Sequence, residues 1–332
     1  MDDGAFDIVE PISALSPEKF KDPDITAKGE VRARVGLDKL DTLWFNTGTL
    51  CNIQCLNCYI ESSPSNDRLV YITTDEVRVY LDEIEKLGLA TREIAFTGGE
   101  PFMNPDMIEI LSETLSRGFE ALVLTNAMQP MQRPKIKAGL LNLKERFGDK
   151  LTLRISLDHH SADRHDLERG SGSFDKALVG VDWLAEHGFA LAVAGRTIWG
   201  ETEAVARAGY DDLFATRGWP IDASNAGQTV LFPEMENVKD IPEITTACWD
   251  ILSLSPSAMM CASSRMVVKR KGETAPKVLP CTLLPYDAEF EMGETLTEAA
   301  FADGGNFEHG AVKLNHPYCA KFCVLGGGSC SA

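Results

Sequence analysis

The chain has 332 residues, of which 44% are hydrophobic, and its formal net charge at pH 7 is −18. A field this negative repels nucleic-acid phosphates and anionic membrane surfaces, and no stretch of the sequence has the roughly 20 apolar residues of a membrane-spanning helix. We therefore expect neither nucleic acid nor a membrane as a partner. The start of the chain, Met1–Gly4, lacks the apolar core of a signal peptide, so we expect a cytoplasmic protein.

Nine cysteines fall into two groups, which indicates metal binding. Disulfides are rare in a reducing cytosol, where clustered thiols are typical of metal ligands. The first group, Cys51, Cys55 and Cys58, has the spacing Cys-x3-Cys-x2-Cys. An iron-sulfur cluster bound by protein alone takes four cysteines, so three leave one iron open for chemistry. The second group comprises Cys248, Cys261, Cys281, Cys319, Cys323 and Cys330.

Residues 1–40 are polar and contain several prolines, and we expect a leader segment that wraps the domain, with one short strand near Val31–Val35. From Leu43 onward, apolar runs of strand length alternate with segments of helical period. Start and stop signals predict three helices, Thr73–Gly88, Asn104–Gly118 and Ser173–Gly188. The predicted strands are Leu43–Asn46, Ile94–Phe96, Ala121–Leu124, Leu151–Leu157, Phe189–Ala194 and Gln228–Phe232.

Repeated strand–helix units with buried strands predict a parallel sheet with right-handed crossovers. Six units are too few for a closed eight-fold barrel, so the expected fold class is α/β, with an open, partial (β/α)6 TIM-like barrel. In barrels of this kind the chemistry lies at the carboxyl ends of the strands. The unusual residues of this sequence follow predicted strands, namely Cys51–Cys58, Gly98–Pro101, Asp158–His160 and Arg196.

The alternation of strands and helices stops after about Leu231. A hairpin of Arg265–Lys271 and Lys277–Leu279 and a short helix, Thr295–Ala302, are predicted beyond it. We therefore divide the chain into a leader segment (1–40), a barrel (41–235) and a smaller C-terminal domain (236–332).

The cysteine motif resembles that of the radical S-adenosylmethionine (radical SAM) enzymes, and the likeness extends over about residues 42–200. Thr97–Pro101 resembles the family's Gly-Gly-Glu-Pro motif, which binds the amino group of SAM, and Arg154–Asp158 resembles the strand that reaches its ribose and methionine parts. Arg169–Phe174 resembles the Arg-Gly segment that precedes the next helix. The resemblance implies a [4Fe–4S] cluster on the first three cysteines and a SAM site formed by Asn57, Tyr59, Thr97, Gly98, Gly99, Glu100, Pro101, Thr125, Asn126, Ser156, Asp158 and Arg196.

Two positions depart from the family pattern. Asn57 stands where an aromatic residue is common, with Tyr59 just beyond, so a backbone contact with adenine is retained while the ring packing changes. His159 and His160 replace the glycine that usually follows Ser-Leu-Asp. A histidine suits proton transfer near neutral pH, so this pair is our catalytic candidate, and the alternative is that they are loop residues hydrogen-bonded to backbone. Arg196 either pairs with a ligand anion or forms a structural salt bridge.

The C-terminal part resembles the auxiliary-cluster extension called SPASM, or its shorter relative, twitch. Six cysteines remain after the first three, and two further cubanes would take about eight, so we expect one auxiliary [4Fe–4S] cluster. Cys261, Cys281 and Cys330 are its expected ligands, with Cys319 or Cys323 as the fourth. Cys248 is expected to be a buried or spare thiol.

The resemblance implies that a reductant such as flavodoxin or ferredoxin supplies an electron, that SAM is cleaved to a 5′-deoxyadenosyl radical, and that this radical takes hydrogen from a substrate. An auxiliary cluster favours an oxidoreductase-type reaction, a dehydrogenation or cross-linking of a small molecule. Two alternatives stay open. One is a maturase of a peptide or protein, and the other is a non-catalytic iron-sulfur or zinc protein.

Overall fold

The computed structural model describes residues 15–233 and 240–327. Its strands are β1 Arg34–Val35, β2 Thr42–Asn46, β3 Glu93–Thr97, β4 Glu120–Thr125, β5 Leu151–Ser156, β6 Ala190–Arg196, β7 Thr229–Phe232, β8 Ser264–Val268, β9 Lys277–Leu279, β10 Phe307–Glu308 and β11 Ala311–Lys313. Its α-helices are α1 Thr74–Leu87, α2 Met107–Ser116, α3 Gln129–Gln132, α4 Pro134–Phe147, α5 Ala162–Arg169, α6 Ser173–Glu186, α7 Glu203–Arg217, α8 Cys248–Leu252 and α9 Leu296–Ala300.

The predicted partial barrel is confirmed as a parallel sheet with helices between its strands. The strand order is β7-β6-β5-β4-β3-β2-β8-β9, and neighbours from β2 to β7 pair in parallel. The strands β2 and β3 run in register from Thr42 opposite Glu93 to Asn46 opposite Thr97. Because all six carboxyl ends point the same way, the loops that carry the predicted site residues meet at one edge of the sheet.

The predicted C-terminal hairpin is present, and it extends the sheet of the barrel. The strand β8 pairs in parallel with β2, with Thr42 opposite Ser264, and β9 pairs with β8 in the antiparallel sense. The sheet therefore has eight strands rather than the six that the strand–helix alternation predicts. Strands from both sides of residue 235 belong to this one sheet. The domain boundary at that residue stays a prediction.

Capping residues define the first helix as the sequence predicts. The Thr73 hydroxyl accepts a hydrogen bond from the Glu76 amide, and the Glu76 carboxylate accepts one from the Thr73 amide. Gly88 ends α1 in the left-handed region at φ 61°. The second helix differs from the prediction, because it begins at Met107 and not at Asn104. The Asn104 side chain instead donates a hydrogen bond of 2.8 Å to the carbonyl of Ile72.

Five α-helices of the described residues are absent from the sequence prediction, namely α3, α4, α5, α7 and α8. The helix α5 is short and polar, and it contributes Glu168 and Arg169 to the site described below. The helix α7 packs its buried Tyr210 below the same edge of the sheet, where the hydroxyl donates a hydrogen bond of 2.7 Å to Leu157.

The N-terminal segment contacts the C-terminal part of the chain. The short strand β1 pairs with β11, which also pairs with β10, in a separate three-stranded sheet. Arg32 and Glu243 form a buried ion pair of 2.6 Å next to it. Within the described residues, no helix is both long enough and apolar enough to cross a membrane.

Candidate active site

A cavity at the carboxyl ends of the parallel strands contains the three early cysteines. They lie on the loop that follows β2, which is held by backbone hydrogen bonds from Thr49 to Leu69 and from Cys51 to Ser63, each 3.0 Å long. Most of the predicted site residues meet on the wall of this cavity, which comprises Cys51, Ile53, Cys55, Asn57, Cys58, Tyr59, Ser62, Thr97, Gly98, Gly99, Leu124, Thr125, Asn126, Ser156, Asp158, Arg169, Ala194, Gly195, Arg196, Phe232, Leu283 and Phe322.

The two glycines after β3 fit against the backbone of the cysteine loop. Gly98 has φ 142°, a conformation that favours glycine. A Cβ atom on Gly99 would lie 2.1 Å from the carbonyl oxygen of Leu50, and one on Gly98 would lie 2.5 Å from that of Gly48. The Gly99 amide also donates a hydrogen bond of 2.8 Å to Gly48. The absence of side chains therefore lets β3 hold the cysteine loop, a role additional to the expected close approach of a ligand.

Glu100 is buried and is not among the described residues that line the cavity. Its carboxylate accepts hydrogen bonds from the Thr125 hydroxyl, at 2.8 Å, and the Asn126 amide, at 2.9 Å. Burial raises the pKa of Glu100 to about 7. Pro101 is likewise buried and outside the described wall, and it begins a short 3-10 helix, Pro101–Met103. The structure thus uses Glu100 to join the ends of β3 and β4, and its contact with a ligand cation stays a prediction.

Two buried ion pairs contribute Asp158, Arg169 and Arg196 to the described wall. Arg169 binds both oxygens of Asp158, at 2.7 and 2.8 Å, and Arg196 binds Glu168 at 3.0 Å. The Asn57 amide donates to the same Glu168 carboxylate at 3.1 Å, which ties the cysteine loop to the end of α5. Burial raises and the Arg169 guanidinium lowers the pKa of Asp158, with a net lowering. Of the two roles that the sequence allows for Arg196, the structure shows the salt bridge, which is with Glu168. Arg196 also lines the cavity.

Arg169 and Glu168 were missing from the predicted site residues. The sequence motif that contains Arg169 was identified, since the Arg-Gly segment resembles that of the family. The motif does not indicate that the guanidinium forms an ion pair with Asp158. Glu168 had no motif of its own. Its place follows from α5, which sequence periodicity did not predict.

The thiol environment fits a bound metal cluster. Burial raises the pKa of Cys51 to about 12 and also raises the pKa of Cys55, so both thiols are protonated at neutral pH in the absence of a metal. Binding of a metal cation would displace these protons. All cysteines of the described residues carry free thiols. Three thiols converging on one cavity, next to polar groups that leave room for a further ligand, match the donor set of a [4Fe–4S] cluster with one open iron.

A second cavity collects four late cysteines, Cys261, Cys281, Cys319 and Cys323. Both Cys319 and Cys323 lie on a π-helical segment, Cys319–Leu325, where a spacing of four residues puts them on one side. The remaining wall is apolar or aromatic and consists of Met259, Met260, Pro280, Leu283, Leu284, Val312, Leu314 and Tyr318. Burial raises the pKa of Cys261 to about 11 and that of Cys319 to about 12, so both are protonated at neutral pH, and a metal that bound here would displace their protons.

Two late cysteines are not among those four. Cys330 lies outside the described residues. Cys248 lies apart from both cavities, where its sulfur accepts a hydrogen bond from the Thr245 amide at 3.3 Å.

His159 and His160 are not on the described wall of the barrel cavity. Their rings lie 4.0 Å apart, and burial lowers the pKa of each. His159 accepts a hydrogen bond of 2.9 Å from the Ser161 amide and contacts Glu201 at 3.0 Å. The geometry agrees with the alternative of a loop residue bonded to backbone, and a catalytic role stays a prediction.

Comparisons with known proteins find similarity to one family over much of the barrel. Residues 45–203 match the model of the Radical SAM superfamily. The antilisterial bacteriocin subtilosin biosynthesis protein AlbA of Bacillus subtilis (strain 168) is 32% identical over 145 residues, which cover 43% of this chain and 30% of that protein. The AdoMet-dependent heme synthase of Methanosarcina barkeri (strain Fusaro / DSM 804) is 29% identical over 144 residues, which cover 43% of this chain and 38% of that protein. The matched segments thus span less than half of these relatives.

A solved structure shows the same fold. The crystal structure of Streptococcus suis SuiB bound to S-adenosylmethionine matches with a TM-score of 0.57 at 12% sequence identity. The match covers 80% of this chain and 66% of SuiB. At this identity the likeness concerns the fold alone.

Proposed function

We propose that the chain is an oxidative radical SAM enzyme, on the premise that residues 45–203 match the radical SAM superfamily, whose members use a [4Fe–4S] cluster and SAM. In this proposal Cys51, Cys55 and Cys58 hold the cluster, and a substrate loses hydrogen in a dehydrogenation or cross-linking reaction. When bound, the cluster supplies the electron that cleaves SAM to the 5′-deoxyadenosyl radical. The observation that carries the proposal is the meeting of the three thiols with the predicted SAM-binding residues on one cavity wall.

The residues of the wall have distinct roles in this proposal. Gly98 and Gly99 hold the cysteine loop against β3 and leave backbone exposed to the SAM amino group. Ser156 and Asp158 face the polar part of SAM. Arg169 and Arg196 each bind a carboxylate of the protein, and their remaining N–H groups suit the SAM carboxylate. The apolar side of the cavity excludes water from the radical.

The second cavity holds one auxiliary [4Fe–4S] cluster in this proposal. Four described cysteines line it, and four is the number that a protein-bound cubane takes. Cys319 and Cys323 then both act as ligands, together with Cys261 and Cys281. This ligand set differs from the sequence expectation, which used Cys330 and only one of the pair.

The substrate in the leading proposal is a small molecule, as the name of the AdoMet-dependent heme synthase suggests for one relative. A second candidate is maturation of a peptide. It is favoured by the name of AlbA, a bacteriocin biosynthesis protein, and by a solved structure of SuiB bound to its precursor peptide SuiA, which has a TM-score of 0.58.

The test is the release of 5′-deoxyadenosine from SAM by anaerobically reconstituted protein after reduction with dithionite. We expect the wild type to release it and Cys55→Ala to release none. Cys248→Ala is the matched control, because Cys248 lies outside both cavities, and it should behave as the wild type. A wild-type protein that holds iron or zinc and leaves SAM intact would instead be the non-catalytic metalloprotein.

A further inference from the structure

Two C-terminal side chains close the barrel cavity on its apolar side. Leu283 follows Cys281 by two residues, and Phe322 lies between Cys319 and Cys323, so both come from segments that carry the late cysteines. Both nevertheless line the cavity of the early cysteines, and Leu283 lines both cavities. The segments that carry the late thiols therefore also form part of the chamber in which a SAM-dependent reaction would occur.

These side chains share the cavity wall with apolar residues of the parallel sheet and its loops. Phe322 is 1% exposed and Leu283 is 4% exposed. The Phe322 ring lies 5.8 Å from that of Phe232, at the end of the edge strand β7. Ile53 and Leu124 add further apolar surface from the cysteine loop and from β4. A group that enters here meets carbon atoms over much of the wall.

The charged side chains of the described wall are engaged with each other or with a neighbour. Asp158 is paired with Arg169, and Arg196 is paired with Glu168. A charged substrate group would have to lose water beside apolar side chains or break one of these pairs, and either is costly. An uncharged apolar group gains from the same burial.

We propose that Leu283, Phe322 and Phe232 determine specificity, and that they select a substrate whose reacting group is uncharged and apolar. Such a group is an aliphatic or aromatic side chain of a peptide, or a hydrocarbon arm of a small molecule. This inference rests on the proposed function, because it concerns the substrate of the same cavity.

The test is calorimetric binding of matched probes to the anaerobically reconstituted, SAM-loaded protein. N-acetylleucine methylamide, N-acetyllysine methylamide and 4-methylpentan-1-ol provide an apolar peptide group, a charged peptide group and a hydrocarbon without a peptide. We expect the leucine amide to bind the wild type at least about tenfold more tightly than the lysine amide, since burial of an apolar side chain provides this factor. Binding of the alcohol as well supports a small-molecule source of the apolar group, and binding of the leucine amide alone supports a peptide source.

Substitutions in the cavity wall test whether these side chains cause the preference for the apolar probe. Phe322→Ser and Leu283→Ser should each reduce the preference for leucine over lysine to less than about threefold. Phe322→Leu, which keeps the wall apolar, should retain it. Phe301→Ser is the matched control, because Phe301 is 76% exposed and outside the cavity, and it should bind as the wild type.

Three results would overturn the inference. They are equal or tighter binding of the lysine amide by the wild type, binding of neither apolar probe, and an apolar preference that both serine variants leave unchanged. Release of 5′-deoxyadenosine by the same wild-type preparation separates this outcome from a failure of the proposed function. Release without an apolar preference removes only the specificity claim, whereas absence of release removes the proposed function.

Discussion

Replacement of Gly99 by alanine tests how the cysteine loop is held. The new Cβ atom would lie 2.1 Å from the Leu50 carbonyl oxygen and 2.8 Å from that of Thr49, whereas ordinary contacts begin at 3.4 Å. Both neighbours are backbone atoms, so relief requires the loop or the end of β3 to move by more than 1 Å. That movement also stretches the hydrogen bonds from Gly99 to Gly48 and from Glu100 to Leu50.

The expected cost is about 3 kcal/mol, which combines overpacking of a tight site with the weakening of these two hydrogen bonds. The assay is denaturant unfolding of the metal-free protein, together with the iron content after anaerobic reconstitution. We expect the free energy of unfolding of Gly99→Ala to be lower by this amount. If the cysteine loop instead moves and the stability is retained, the variant should bind no iron at the first cluster site.

Gly36→Ala is the matched control for this substitution. A Cβ atom added to Gly36 would meet nothing within 4 Å beyond its chain neighbours, and Gly36 is outside the left-handed region. Its replacement should therefore change stability by less than about 0.5 kcal/mol. If Gly99→Ala matched Gly36→Ala in both stability and iron content, the proposed packing of β3 against the cysteine loop would be wrong.

Three further predictions concern charge, the second cluster and pH. Arg169→Ala should lower the free energy of unfolding by about 3–5 kcal/mol in a urea titration, because it leaves the buried Asp158 unpaired. Arg217→Ala breaks a partly exposed pair with Asp182 and should cost less than about 1 kcal/mol in the same titration. Equal costs of the two substitutions would refute the role of burial. Cys281→Ala should reduce the iron content from about eight to about four atoms per chain and stop product formation while 5′-deoxyadenosine release continues, and full product formation would remove the auxiliary role. Burial lowers the pKa of His165 from 6.5 to about 4, so the folded state disfavours its protonation, and stability contributed by neutral His165 is lost as the pH falls from 6.5 toward 4. Metal-free wild type should therefore lose about 3 kcal/mol more over this interval than His165→Leu does, and parallel pH profiles of unfolding would contradict this.

The sequence predicted the barrel because its strands are buried and bounded by strong signals. Leu43–Phe45 and Ala121–Leu124 are continuous apolar runs, and the capping box at Thr73 defines a helix without reference to the rest of the chain. The short polar helix α5 carries no such signal, so Glu168 was not placed. The parallel pairing of β8 with β2 joins residues more than 200 positions apart, and local pattern contains no information about it.

The parts of the candidate site that could be predicted are those whose residue pattern is typical of a single function. Three closely spaced cysteines and a Gly-Gly pair have few alternatives, and they meet in one cavity. The contact of Glu100 with a ligand cation stays a prediction, and the sequence did not indicate its hydrogen bonds with the Thr125 hydroxyl and the Asn126 amide. Leu283 and Phe322 look like ordinary core residues in the sequence, and only the tertiary fold brings them to the cavity wall.

The central claim is that Cys51, Cys55 and Cys58 hold a cluster with one iron open to SAM. Its most direct test is equilibrium binding of SAM to anaerobically reconstituted wild type and to a variant in which all three cysteines are alanine, with iron counted in both. The account predicts that the wild type binds SAM, and that the triple variant keeps about four irons in the second cavity and loses SAM binding. Equal uptake of SAM by the two proteins would contradict it.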